Sequence, residues 1–259
     1  ELSLLRFLLQ SFPQPAVCGT AKDRKLLVTC KIDLTKNLKY DRLTGEIMRR
    51  VITKDSNCID IGAHKGEILE EILKLAPQGN HFAFEPIPHL VQQLQQKFGE
   101  KVCVHDCALA DYEGNTTFNF VKNAPAYSGL RQRKYAVETP EIEEIPVAVN
   151  TLDNLISSKT KIHFIKIDVE GGEFGVLKGA EELLKRDKPY VVFECGLGAS
   201  DFYGTSPKEL YEFIQDIGLQ LSTLDDFIKN RPAMELERFL NYYNSNSEYY
   251  FIIHPEIKK

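Results

Sequence analysis

Three observations predict an α/β fold with a mostly parallel sheet covered by helices on both faces. First, Cys58-Ile59-Asp60-Ile61-Gly62-Ala63-His64-Lys65-Gly66-Glu67 reads as a buried strand, a glycine-bearing turn and the first turn of a helix, and Ile68, Leu69, Ile72, Leu73 and Ala76 continue at helical spacing. Second, about 25 residues beyond Asp60, the strand His81-Phe82-Ala83-Phe84 ends in Glu85. Third, the short apolar strands that follow alternate with helical patterns, which requires crossover connections and therefore parallel neighbours.

The elements follow in order. Leu43, Ile47, Met48 and Val51 share one face of a helix over 41–53 that leads into the first strand. Pro88 suits the first turn of a helix that carries Leu90, Val91, Leu94 and Phe98 on one side. A third strand, Val102-Cys103-Val104, ends near Asp106-Cys107-Ala108. Residues 115–121 and 145–149 alternate like the two arms of a hairpin. Between them, 122–144 is polar and rich in Tyr, Arg and Glu; a stretch that long in a compact domain is expected to act as a lid or binding segment.

The fourth core strand, Ile162 to Asp168, passes through Val169-Glu170-Gly171-Gly172 into one helix bearing Phe174, Leu177, Ala180 and Leu184. Tyr190–Glu194 is the fifth strand. Ser206-Pro207-Lys208-Glu209 forms a capping box, and its helix runs to Ile217 and stops at Gly218. Leu219-Gln220-Leu221 is the sixth strand. A helical insert over 226–240 precedes Tyr249-Tyr250-Phe251-Ile252-Ile253, which is expected to pair hairpin-fashion.

Composition narrows the class of partner. At 259 residues, 43% hydrophobic and 27% charged, the chain resembles an ordinary soluble globular protein. A net charge of −5 and a pI near 5.8 argue against broad electrostatic binding to nucleic acid; Arg131-Gln132-Arg133-Lys134 is the one local basic candidate, more simply read as a solvated loop. The six cysteines, at 18, 30, 58, 103, 107 and 195, form no C-x-x-C pair and have no zinc-finger histidine partners. They read as reduced thiols of a cytoplasmic protein. No segment reaches the ~20 apolar residues of a membrane span. Leu5, Leu8, Leu9 and Phe12 suit an amphipathic helix that docks on its own domain, on a second subunit of a homodimer, or weakly on a membrane surface.

The glycine turn and the second acid together point to a nucleoside. The turn lets backbone approach the ligand, and Glu85 is placed to accept hydrogen bonds from ribose hydroxyls. A dinucleotide fold carries G-x-G-x-x-G, whereas here only Gly62 and Gly66 stand, in D-x-G-x-x-x-G with His64-Lys65 between them. Asp60 stands where it repels a pyrophosphate and attracts an ammonium. S-adenosyl-L-methionine has that ammonium and no phosphate, so the pattern favours it over NAD. A strand-turn-helix with no ligand is the plainer alternative. Asp106 suits the adenine amino group, with simple turn formation as its alternative.

Taken with Phe84-Glu85-Pro86, Ala108-Leu109-Ala110-Asp111, Thr151-Leu152-Asp153 and Ile165-Lys166-Ile167-Asp168-Val169-Glu170-Gly171-Gly172-Glu173, the glycine turn resembles the FkbM family of S-adenosylmethionine-dependent methyltransferases over about residues 55–200. The resemblance implies a class I methyltransferase (Rossmann-like) fold, with a seven-stranded sheet whose last strand is antiparallel. It also implies O-methylation of a sugar or natural-product scaffold, a small-molecule acceptor. Residue reading and resemblance together place the cofactor against Asp60, Gly62, Ala63, His64, Gly66, Glu85, Pro86, Asp106, Ala108 and Asp168. His64 departs from the family, where many relatives carry a small polar residue. Residues 1–45 then form a helical or irregular extension, 46–259 the catalytic domain, and 122–144 and 226–246 its acceptor-side insertions.

A neutral hydroxyl needs a base or a metal before it accepts a methyl group. Asp168, ending a core strand at the carboxyl edge, is the leading base, with Lys166 two residues back on the same face. The resemblance raises Glu170 to an acceptor-site role, while Glu173 reads as a helix N-terminal acid. Asp168 and Glu194 together offer oxygen ligands for a divalent cation, a pairing too common to assign a metal. Alternative readings are methylation of nucleic acid or protein, or a non-catalytic S-adenosylmethionine-binding protein.

Overall fold

The computed structural model describes residues 21–133, 135 and 137–256, with helix backbone alone over 21–35. The stripe of Leu5, Leu8, Leu9 and Phe12 lies outside the described residues. The chain divides into two units, Glu1–Asp41 and Arg42–Lys259. In the first, the described residues are helical. That helix is Ala21–Val51, and within the second unit its Leu43, Ile47 and Met48 are buried, as their spacing predicts.

In chain order the strands are β1 (Cys58–Ile61), β2 (His81–Phe84), β3 (Val102–His105), β4 (Cys107–Leu109), β5 (Gly114–Val121), β6 (Ile142–Asn150), β7 (Phe164–Ile167), β8 (Tyr190–Glu194), β9 (Gln220–Thr223) and β10 (Tyr250–His254). The main sheet has seven strands in the order β3-β2-β1-β7-β8-β10-β9. Its pairs are parallel from β3 through to β8, and β10 alone runs antiparallel, to both β8 and β9. The mostly parallel sheet with a reversed last strand is thus the architecture expected. Every residue of β1 and of β7 is buried, because helices cover both faces.

The order reverses between β1 and β7, and open α/β sheets bind ligands at such a switch point, beyond the carboxyl ends of the strands. Gly62 sits there for a steric reason. Its φ is +78°, and a Cβ on it would come 1.8 Å from the Asp168 carbonyl oxygen. The two strand ends meet only because this residue has no side chain.

Three readings change. Residues 173–184 form two helices, Glu173–Lys178 and Glu181–Asp187. The break falls at Gly179, where a Cβ would meet the Ala110 carbonyl at 2.0 Å, and whose own carbonyl accepts from Asp153 N at 3.0 Å. The chain after β3 does not merely turn: Cys107–Leu109 starts a second, three-stranded sheet, β4-β6-β5, with the 114–121 and 142–150 hairpin. The insert over 226–240 is likewise two helices, Leu224–Ile228 and Leu236–Ser245, separated at Asn230 (φ 51°) and Pro232. Ser206 caps its helix as expected, its hydroxyl accepting from Glu209 N at 3.3 Å.

Among the described residues no helix is long and apolar enough to cross a membrane. Cys58, Cys107 and Cys195 are buried free thiols, whereas Cys103 is exposed on β3, at the edge of the sheet.

Candidate active site

A cavity of about 610 Å³, including its open mouth, lies over the carboxyl ends of β1, β2 and β7. Gly62, His64, Glu85, Pro86, Ala108, Asp168 and Glu170 all line it. Five of the predicted positions stand behind or beside it. Asp60 is buried in β1, in register with Lys166 on β7. Ala63 is buried, its N–H donating to the Phe84 carbonyl at 3.2 Å. Gly66 opens the helix Glu67–Leu75 in the left-handed conformation, with Phe98 packed where a Cβ would be. Asp106 is exposed. Lys166 is buried and reaches the cavity only through Asp168.

Glu85 organises the glycine turn. One carboxylate oxygen accepts from His64 N and the other from Ile87 N, both at 2.9 Å. A buried acid bonded to two backbone N–H groups fixes the turn and keeps a lone pair on each oxygen for a ligand. Burial nevertheless pushes Glu85 up to about 7. His64, with a left-handed φ of 47°, is held below its usual range by burial, so its ring is neutral at pH 7 and a poor candidate for a charged contact.

Asp168 is held on one side. Its Oδ2 accepts from Lys166 Nζ and from the Tyr250 hydroxyl, each at 3.0 Å. Lys166 also donates to the Ile167 carbonyl at 3.2 Å, and its ammonium lies 4.9 Å from the Tyr250 ring centre. Around this pair the acids are crowded. Burial pushes Asp60 and Glu173 up to about 7 and raises Glu194 as well. Glu173 does more than face a helix dipole: its Oε1 accepts from Val169 N and Gly171 N, both at 3.1 Å, tying down the turn that carries Glu170.

That turn is strained and covered. Glu170 adopts φ 59°, a conformation worth about 1–3 kcal/mol of strain in a non-glycine residue and found mostly at functional sites. Gly171 and Gly172 follow because the Ala199 backbone and the Tyr203 ring occupy the space of a Cβ. The segment between β5 and β6 lies across the cavity, lining it with Pro125, Ala126, Ser128 and Leu130. Arg133 of this segment pairs with Glu170 and sits over the Tyr127 ring, and Arg131 N donates to the Tyr203 hydroxyl at 3.0 Å. The long polar stretch thus gives four residues to the cavity lining, and its Arg133 is paired with an acid of the protein.

Tyr203 and Tyr250 are the two residues that the sequence reading missed. The paired glycines after Glu170 were the available signal for a bulky neighbour such as Tyr203. Tyr250 announces itself only through strand register. Among the described residues no cluster of His, Cys, Asp and Glu has the arrangement to hold a metal ion.

The buried acids set a pH dependence. Asp60, Glu85 and Glu173 titrate higher in the folded state than in the unfolded chain. Their stabilising contribution is complete below about pH 4 and is lost as pH rises through about 7. Burial lowers His64, His81, His105 and His254, which favours the fold as pH rises. That gain ends by about pH 6.5. The ligand-free protein should therefore melt at a lower temperature at pH 8 than at pH 6.5 by scanning calorimetry. An equal or higher melting temperature at pH 8 would mean that these carboxyls ionise freely.

The strand order, the reversed strand and the cavity at the switch point together define a class I methyltransferase fold. Residues 60–221 match the Methyltransferase FkbM domain, and the chain belongs to that family. A curated relative, Methyltransferase 1 of Beauveria bassiana (strain ARSEF 2860), is 24% identical over 148 residues, 49% of this chain and 59% of the relative. A crystal structure of methyltransferase FkbM from Methylobacillus flagellatus KT is 18% identical, with 78% of this chain and 44% of that chain covered and a TM-score of 0.48. Aeropyrum pernix fibrillarin, crystallised with natively bound S-adenosyl-L-methionine, is 14% identical, with 82% and 74% covered and a TM-score of 0.40. The chain thus spans less than two thirds of the length of the first two.

Proposed function

We propose that this chain transfers a methyl group from S-adenosyl-L-methionine to a hydroxyl on a sugar or small natural-product scaffold. The observation that carries the reading is the convergence of Glu85, Gly62 and Asp168 on one cavity at the switch point of the sheet. The residues fit the cofactor. Glu85 keeps acceptor capacity for ribose hydroxyls, Pro86 and Ala108 line the wall near it, and among the described residues no lysine or arginine lines the cavity to attract a pyrophosphate. When bound, S-adenosyl-L-methionine supplies a methyl group already activated by its sulfonium.

The chain's own residues then have two tasks. Asp168 takes the proton of the acceptor hydroxyl, its negative charge kept in place by Lys166. Glu170 and Arg133, with Pro125, Ala126, Ser128 and Leu130 of the stretch between β5 and β6, enclose the acceptor and exclude water. The lining residues from that segment support its role as a cover.

Glu85→Ala tests the cofactor half of the proposal. Loss of a charge-assisted partner should weaken S-adenosylhomocysteine binding roughly tenfold to a hundredfold, or about 1.5–3 kcal/mol by calorimetry. Unchanged affinity in a folded variant would rule out Glu85 as the ribose acceptor.

A further inference from the structure

We propose that Tyr250, on the antiparallel strand β10, is a positioning residue that fixes the Asp168 carboxylate with Oδ2 held and Oδ1 presented to the acceptor. The inference rests on the reading of Asp168 as the group that takes the acceptor's proton. Register makes the arrangement. Ile167, Phe193 and Phe251 stand in one row across β7, β8 and β10. One step toward the carboxyl edge, the row becomes Asp168, Glu194 and Tyr250, with Glu194 paired to Tyr250 on the intervening strand. Neighbouring strands lie about 4.8 Å apart, so Tyr250 starts roughly 10 Å from the Asp168 backbone. A tyrosine is long enough to cross β8 and meet the carboxylate, as its 3.0 Å bond shows; a serine or threonine is not.

Tyr250 and Lys166 both bond Oδ2, and the Lys166 ammonium lies over the tyrosine ring. One donor alone lets a carboxylate rotate about χ1 and χ2. Two donors on one oxygen select a single orientation and leave the other oxygen for a substrate atom. The charges that face Asp168 make that selection matter. Asp60 on β1, Glu173 in the following helix, Glu194 on β8 and His64 in the glycine turn all act on it electrostatically, along with Lys166. Held by the ammonium alone, Asp168 pivots about that one bond to relieve its repulsion from these acids. The reversal of the last strand therefore has a consequence at the site: it brings a long side chain to the carboxyl edge beside β8.

The test reads orientation rather than turnover. Three-bond couplings measured by NMR report the Asp168 χ1 rotamer. Wild-type protein should show one rotamer, and Tyr250→Phe, which keeps the ring and removes the hydroxyl, should average between at least two. A single unchanged rotamer in Tyr250→Phe overturns the positioning role. The wild type carries a second readout in case that variant fails to fold: the Tyr250 hydroxyl proton should be visible and slow to exchange with water, and Asp168→Ala, which removes the acceptor, should speed its exchange. An unprotected hydroxyl proton in the wild type also overturns the role. Calorimetry of the wild type with S-adenosylhomocysteine reports separately on the methyltransferase reading; absence of binding there overturns that reading and leaves the rotamer result as a statement about structure alone, which removes the positioning role with it.

Discussion

Asp168→Asn is expected to lower methyl transfer by about 10²–10⁴-fold, the usual contribution of a positioned general base. The substitution keeps the shape of the side chain, and its amide oxygen still accepts from Lys166 and Tyr250, which hold Oδ2 in the wild type. What it removes is the charge that takes a proton. S-adenosylhomocysteine affinity should survive, because the ribose is assigned to Glu85, which follows β2 and is separated from the end of β7 by β1. Release of S-adenosylhomocysteine from S-adenosyl-L-methionine over a panel of glycosides measures the first effect, and calorimetry the second. Full turnover in the variant would make Asp168 a structural residue and require another group to deprotonate the acceptor.

The main sheet was legible because periodicity and punctuation agreed. Pro88 and Ser206 mark helix starts, Glu85 marks a strand end, and the buried β-strands read as continuous apolar runs. The second sheet was harder to see, since Cys107–Leu109 is only three residues long and follows β3 after a single intervening residue. The helix break at Gly179 was invisible for a different reason. Glycine inside an apolar stripe reads as a tolerated defect, and only the approach of the Ala110 carbonyl makes it a boundary. At the candidate site, four residues of local motifs come together: Gly62, Glu85, Asp168 and Glu170 all line the cavity. Asp60 is placed differently. Its place in the D-x-G turn suggests a ligand, yet strand pleating turns it toward the row of Lys166. Tyr203 and Tyr250 come from elements 35 and 82 residues beyond Asp168, brought in by tertiary packing that no local pattern encodes.

Lys166→Met should cost about 1.5–3 kcal/mol of stability, the usual effect of removing one partner of a charge-assisted hydrogen bond that is partly buried. Against a typical total of about 5–15 kcal/mol, that is a large fraction. Methionine matches the length of the aliphatic stem, so the loss is electrostatic more than steric. Lys166 is 6% exposed in its side chain and is in register with Asp60, which is itself 2% exposed. It also opposes the upward push that burial exerts on Asp60 and Glu194. Without it these acids lose their common cation, and Asp60 must either ionise unpaired or take up a proton. The cost therefore depends on pH. Asp60 stands at about 7 with Lys166 present, and removing the cation raises it further. At pH 6 the carboxyl is protonated in the fold and needs no partner, whereas at pH 8 the variant must hold a proton that the unfolded chain has released. Urea unfolding of wild type and Lys166→Met at pH 6 and pH 8 should show the larger loss at pH 8, with Lys166→Arg recovering part of it through its retained charge. A small loss, equal at the two pH values, would mean that the acids around Asp168 do not depend on Lys166 for their compensation.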